Sequence, residues 1–78
     1  MKHVYYDCCI YDPKRSYKHG MHFTERNKRE AIATVRRLLK LHSSKMDGEI
    51  RTRPHAEPGE IKTFRKLPLI FRETNYEQ

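Results

Sequence analysis

Four cations, Arg29, Arg36, Arg37 and Lys40, recur at i, i+7, i+8 and i+11 in a stretch whose apolar residues follow a helical period. On a helix they form one stripe spanning about 17 Å at 1.5 Å per residue, a spacing that can follow successive phosphates. Each phosphate neutralised releases counterions, so such binding should fall steeply with salt. Lys14, Arg15 and Lys18 on a neighbouring hairpin extend the footprint if hairpin and helix N-terminus lie side by side. A helix face of this kind can also be merely solvated, or can dock on an acidic protein groove. An anionic lipid surface is the weaker option, because the opposite helix face is needed for the core.

Tyr5, Tyr11 and Tyr17 interleave with this charge and are candidates for stacking on unpaired bases, which favours single-stranded RNA over duplex DNA. The alternative for each is amphipathic sheet surface. There is no helix-turn-helix, zinc-finger spacing, KH-type GxxG loop or RNA-recognition-motif aromatic signature, so sequence-specific DNA reading is disfavoured. His19 and His22 would share a metal on a helix, but on a strand they point to opposite faces, and no third ligand is near; no metal or cofactor is expected. A minimal ribonuclease would use His3, His19, His22 or His55 as general acid and base, with Lys or Arg stabilising the transition state. Nothing in the spacing fixes a pair, so a non-catalytic protein is the expectation. Cys8 and Cys9 are adjacent, and neighbours on a strand face opposite ways. One core thiol and one half-exposed thiol in a reducing compartment are expected, not a disulfide.

The charge is segregated. Residues 13–46 hold ten basic residues (Lys14, Arg15, Lys18, Arg26, Lys28, Arg29, Arg36, Arg37, Lys40, Lys45) and two acidic ones (Glu25, Glu30), a local +8 within a chain whose total is +7. A contiguous field of that size attracts polyanions. The 78 residues allow one small domain, which hides only about 60% of its unfolded surface and would gain from self-association. No apolar run approaches the ~18 residues of a membrane span, and no signal-peptide stretch opens the chain, so a soluble, cytoplasmic protein is expected.

The elements that must position these groups follow from pattern. Lys2 to Asp12 alternates as a strand, with Val4, Tyr6, Cys8 and Ile10 on one face and Tyr5, Asp7, Cys9 and Tyr11 on the other. Asp12-Pro13-Lys14-Arg15-Ser16 is a turn, Asp favouring its first position and Pro presetting φ at its second. A second run follows, with Tyr17, His19, Met21 and Phe23 on one face. From about Glu25 to Met46 the spacing predicts a helix, with Asn27 (or Thr24) as its cap and Gly48 as its stop. Ala31, Ile32, Val35, Leu38, Leu39, His42 and Met46 fill its apolar arc, with His42 a core or interface histidine holding one hydrogen-bonded nitrogen. Leu41 points away from the core.

Residues 49–53 read as a short strand, and 58–67 fit either one helical turn through Ile61, Phe64 and Leu67 or, over 60–65, a hairpin partner of 49–53. Leu69-Ile70-Phe71 reads as the last core strand, with Pro68 at a sheet edge. The expectation is an α+β fold: an N-terminal β-hairpin, one long amphipathic basic helix and one or two C-terminal strands (ββαβ(β)), the helix packed on one sheet face. Residues 1–73 form the domain and 74–78 a frayed tail.

The opening Met1-Lys2-His3-Val4-Tyr5-Tyr6-Asp7, the short length and the dense Lys28-Arg29…Arg36-Arg37…Lys40 resemble small accessory proteins of tailed bacteriophages. Among these the chain is similar in style to the RNA-binding inhibitors of host toxin–antitoxin endoribonucleases. The likeness lies in size, charge and order of elements, and it carries no site residues. It implies a homodimer in the host cytoplasm that binds RNA and engages a host endoribonuclease toxin, an antitoxin-like counter-defence factor. The residues themselves lead to largely sequence-independent RNA binding. The alternatives are an inhibitor docking its basic face on an acidic host protein without nucleic acid, and a minimal ribonuclease.

Overall fold

The computed structural model of the protein describes residues 4–54 and 60–75. Strands β1 (Tyr5–Tyr11), β2 (Met21–Glu25), β3 (Asp47–Arg53) and β4 (Leu69–Thr74) form one antiparallel sheet in the order β2-β1-β3-β4, and helix α1 (Lys28–Leu41) connects β2 to β3. This is the ββαβ(β) arrangement expected, with both C-terminal strands present. Short 3-10 turns at Tyr17–His19 and Ile61–Lys66 complete the elements.

The alternation of β1 sorts the two faces. Cys8 and Ile10, with Tyr6 beside them, meet Ala31, Val35 and Leu39 of α1 and Ile50 of β3 in the main core. Cys9 and Tyr11 face the other way and pack with Phe64, which the second 3-10 turn lays over that face, and with Tyr17. Burying an aliphatic or aromatic side chain contributes about 1.5–3 kcal/mol relative to leaving it exposed. An exposed ion pair contributes about 0–1 kcal/mol. The fold therefore rests on Ile10, Val35, Ile50 and Phe64 more than on its surface charges. Because Phe64 covers the second face, Cys9 is as buried as Cys8; the half-exposed thiol expected there does not exist, and both cysteines are free thiols.

The turn after β1 is made as its residues suggest, with Arg15 N donating to Asp12 O at 2.9 Å and Lys14 N donating to Asp12 Oδ1 at 2.9 Å. The second alternating run begins later than expected. Ser16 Oγ accepts from Lys18 N at 3.1 Å and starts a 3-10 turn, so the period of two holds only from Met21. Tyr17 consequently lies on the Phe64 side of the sheet and not with Met21 and Phe23.

Helix α1 starts where its cap requires: Asn27 Oδ1 accepts from Arg29 N at 2.8 Å and Glu30 N at 3.4 Å. It ends at Leu41, well short of Met46, because Asn75 takes over the backbone groups beyond it. The Asn75 amide donates to the carbonyls of Leu39 (3.0 Å), Ser44 (3.0 Å) and His42 (3.4 Å), and its Oδ1 accepts from Met46 N (2.7 Å). Thr74 closes β4 and Asn75 is this clamp, so neither belongs to a frayed tail; residues 76–78 lie outside the described residues. Gly48, expected as the helix stop, sits inside β3. A Cβ there would come within 2.6 Å of Val35 Cγ1 and 3.2 Å of Leu39 Cδ1, so its bare backbone is what lets α1 lie against the sheet.

Candidate nucleic-acid interface

Topology decides where the cations sit. Because β1 ends at the 12–16 turn and α1 starts at the far end of β2, the helix's C-terminal end returns to that turn. A cleft there is lined by Arg15, Ser16 and His19 from the turn and by His42, Ser44 and Met46 from the segment after α1. Lys14 and Lys45 border an adjoining hollow with Asp12, Pro13 and Ser44. Arg15 and Lys14 thus neighbour the segment after α1 and not the helix N-terminus, which corrects the expected side-by-side placement, and Lys45 borders the same hollow as Lys14. Lys45 is the link that helix periodicity missed, since it lies past the end of α1.

Arg29, Arg37, Lys40, Lys14, Arg15 and Lys18 are all exposed. Among the described residues none of them is within ion-pairing distance of a carboxylate. Arg36 is the exception on the helix. Its Nε donates to Glu73 Oε1 at 3.1 Å, and its guanidinium lies 5.5 Å from the Phe71 ring centre, which draws it toward β4. Arg36 therefore tethers helix to sheet, and Arg29, Arg37 and Lys40 make up the open part of the stripe.

A second set of charges is paired off on the sheet face beneath Phe64. Glu49, 1% exposed, accepts from Tyr11 Oη at 2.5 Å and from Arg51 Nη2 at 2.8 Å, with Arg65 Nη2 at 3.5 Å. Burial alone would raise its pKa, but these hydrogen bonds and the two guanidinium charges outweigh burial and hold the carboxyl below its usual range. Arg51 also donates to the carbonyls of Leu67 (2.7 Å) and Arg65 (3.3 Å), fastening the 3-10 turn to β3. Asp7 pairs with Arg53 at 2.8 Å and Asp47 with Arg72 at 2.9 Å.

The tyrosines fare differently from expectation. Tyr11 is 4% exposed and its phenol is held in the Glu49 cluster, where burial and the neighbouring carboxylate raise its pKa; it has no face for a base. Tyr17 packs its ring against Phe64 (centroids 5.8 Å), with His22 edge-on at 6.3 Å and the Arg65 guanidinium 5.1 Å from its centre. Tyr5 is half-buried, with the Arg26 guanidinium 6.0 Å from its ring centre. Tyr5 and Tyr17 are both half-buried, so neither presents a fully open ring.

His22 and His19 diverge, as strand and turn geometry require. His22 Nε2 donates to Tyr17 O at 2.7 Å and lies 3.5 Å from Cys9 Sγ, whereas His19 is exposed beside the cleft. Burial pushes both thiols up to about 12, the nearby carboxylates adding to it, so neither is a nucleophile. His42 is half-buried at the end of α1, and neither of its ring nitrogens has a hydrogen-bond partner among the described residues, contrary to expectation. His3 and His55 lie outside the described residues. Among the described residues no three His, Cys, Asp or Glu side chains are grouped to hold a metal, and no helix is long and apolar enough to cross a membrane. No protein-family model, curated protein or solved structure matches the chain.

Proposed function

We propose that the protein is a non-catalytic, largely sequence-independent RNA-binding protein whose phosphate contacts come from Arg29, Arg37 and Lys40, continued by Lys45, Lys14, Arg15 and Lys18. The observation that carries this reading is the division of charge. The described arginines beneath Phe64 are matched to Asp7, Asp47 and Glu49, while the track cations are exposed without a carboxylate partner. Cations held apart from acids keep their full field for a polyanion. The resemblance to phage inhibitors adds a homodimer and a host endoribonuclease as protein partners in the same proposal.

The test pairs purification with charge reversal. Protein recovered from cells should carry material absorbing at 260 nm that nuclease or high salt removes. Changing Arg37→Glu and Lys40→Glu together should abolish RNA retention at moderate salt and lower the slope of log affinity against log salt by about 1.4, at roughly 0.7 per phosphate contact on a single strand. The thermal melt should stay unchanged, since neither side chain has an internal partner. Protein that elutes free of nucleic acid and binds no RNA at low salt overturns the proposal in favour of a protein-only inhibitor.

A further inference from the structure

The track ends at a cleft. Between the 12–20 turn and the segment after α1 lies a hollow of about 460 Å³, within the size range of small-molecule sites and fit for a single nucleotide. Ile10, Met21 and Met46 give it apolar lining, and Arg15, His19 and His42 line it as well. Met21 is 47% exposed, a large apolar side chain open to solvent beside the cations. A second hollow of about 360 Å³, bordered by Lys14 and Lys45, shares Asp12 and Ser44 with the first, so cationic ground continues directly into the cleft. Among the described residues Asp12 is the one carboxylate lining it, and its Oδ1 is engaged by Lys14 N at 2.9 Å.

We infer that this cleft receives one unpaired base of the bound RNA, an inference that rests on the RNA-binding reading above. The tyrosines expected to stack on bases are largely committed to internal packing, which leaves the cleft as a surface where a base can lodge. The cleft is where exposed apolar surface, imidazole rings and free cations coincide. Thioethers adapt their shape to a flat ring. The imidazoles of His19 and His42 and the hydroxyls of Ser16 and Ser44 can meet its polar edge, while Arg15 and Lys45 take the phosphates on either side. A base stacked and paired in a duplex cannot enter without being extruded, so the protein discriminates in favour of single-stranded or looped RNA.

The experiment uses the full chain and fluorescence anisotropy at one fixed salt concentration, with a labelled 12-nucleotide single strand and a blunt 12-base-pair duplex containing it. Wild type should bind the single strand about tenfold more tightly, the scale of one stacked base, despite the higher charge density of the duplex. Met21→Ser with His42→Ala should lower single-strand affinity about tenfold and leave duplex affinity unchanged. Because His42 caps α1, Met21→Ser alone is measured as well, and it should reproduce most of the loss. Equal affinity of wild type for both RNAs, or variants that leave single-strand affinity untouched, overturns the base cleft while RNA binding stands. Failure of wild type to bind either RNA overturns the functional proposal and the cleft with it.

Discussion

Glu49→Gln is the substitution that bears most directly on how the sheet's second face is held. Glutamine keeps the shape of the side chain but removes the charge that Arg51 meets at 2.8 and 3.2 Å and Arg65 at 3.5 Å. Arg51 is 9% exposed, so the change leaves a buried guanidinium without its countercharge, with only neutral acceptors (the glutamine Oε1 and the carbonyls of Leu67 and Arg65) around it. Removing one partner of a buried ion pair costs about 3–5 kcal/mol. Arg65 is partly exposed and its share is screened, so nothing is added for it. Native domains have only about 5–15 kcal/mol in all. Urea and thermal melts at pH 7 should therefore show most of the stability gone, a fall in Tm of roughly 12 °C or more. Tyr11→Phe removes the hydrogen bond to the same carboxylate and the one the hydroxyl accepts from Arg65 Nη2, but leaves the charge in place, and should cost less, about 1.5–3 kcal/mol. The pH dependence follows from the direction of the carboxyl shift. Glu49 holds its proton less tightly folded than unfolded, so the cluster's contribution is complete above the ordinary value of 4.5 and is lost as pH falls through the lower folded value. The gap between wild type and Glu49→Gln should close over that acid range. A variant within about 1 kcal/mol of wild type at pH 7, or a gap that ignores pH, refutes the reasoning.

Two further outcomes concern the ends of the core. Asn75→Ala removes three carbonyl contacts and one amide contact at the close of α1, and should cost about 2–3 kcal/mol in a urea melt while speeding amide exchange at Met46. An unchanged melt would show that the clamp contributes nothing. Cys8 and Cys9, with pKa values raised to about 12, expose about one thiolate in ten thousand at pH 8. Both should resist a disulfide reagent until the chain unfolds; immediate labelling of Cys9 would contradict the enclosed second face, and of Cys8 the packing of α1 on the sheet.

Much of this architecture was legible because it is periodic or local. The alternation through Tyr6, Cys8 and Ile10, the i, i+4 spacing of Ala31, Val35 and Leu39, and the Asn27 cap each depend on residues within a few positions of one another. What could not be read depends on distant partners. Arg36 looked like its neighbours on the stripe until Glu73, 37 residues away, claimed it. The helix continued on paper to Met46 because nothing nearby marks Asn75 as its terminator. Gly48 carried the composition of a helix stop, while its reason is the approach of Val35 from another element. Tyr11 and Tyr17 fitted a sheet surface equally well open or covered, and only the docking of Phe64 decides between the two. The cleft, too, joins residues 10–21 to 42–46, a meeting that topology alone creates.

The division between enclosed and outward charges gives the molecule two electrostatic populations that answer differently to dissolved ions. Pairs such as Arg51–Glu49 sit at contact distance in a poorly hydrated layer, where mobile ions barely reach, whereas Arg37 and Lys40 project into electrolyte whose Debye length is about 8 Å at physiological strength. Under the proposed RNA binding, a saline wash therefore releases the polyanion while the scaffold stays intact.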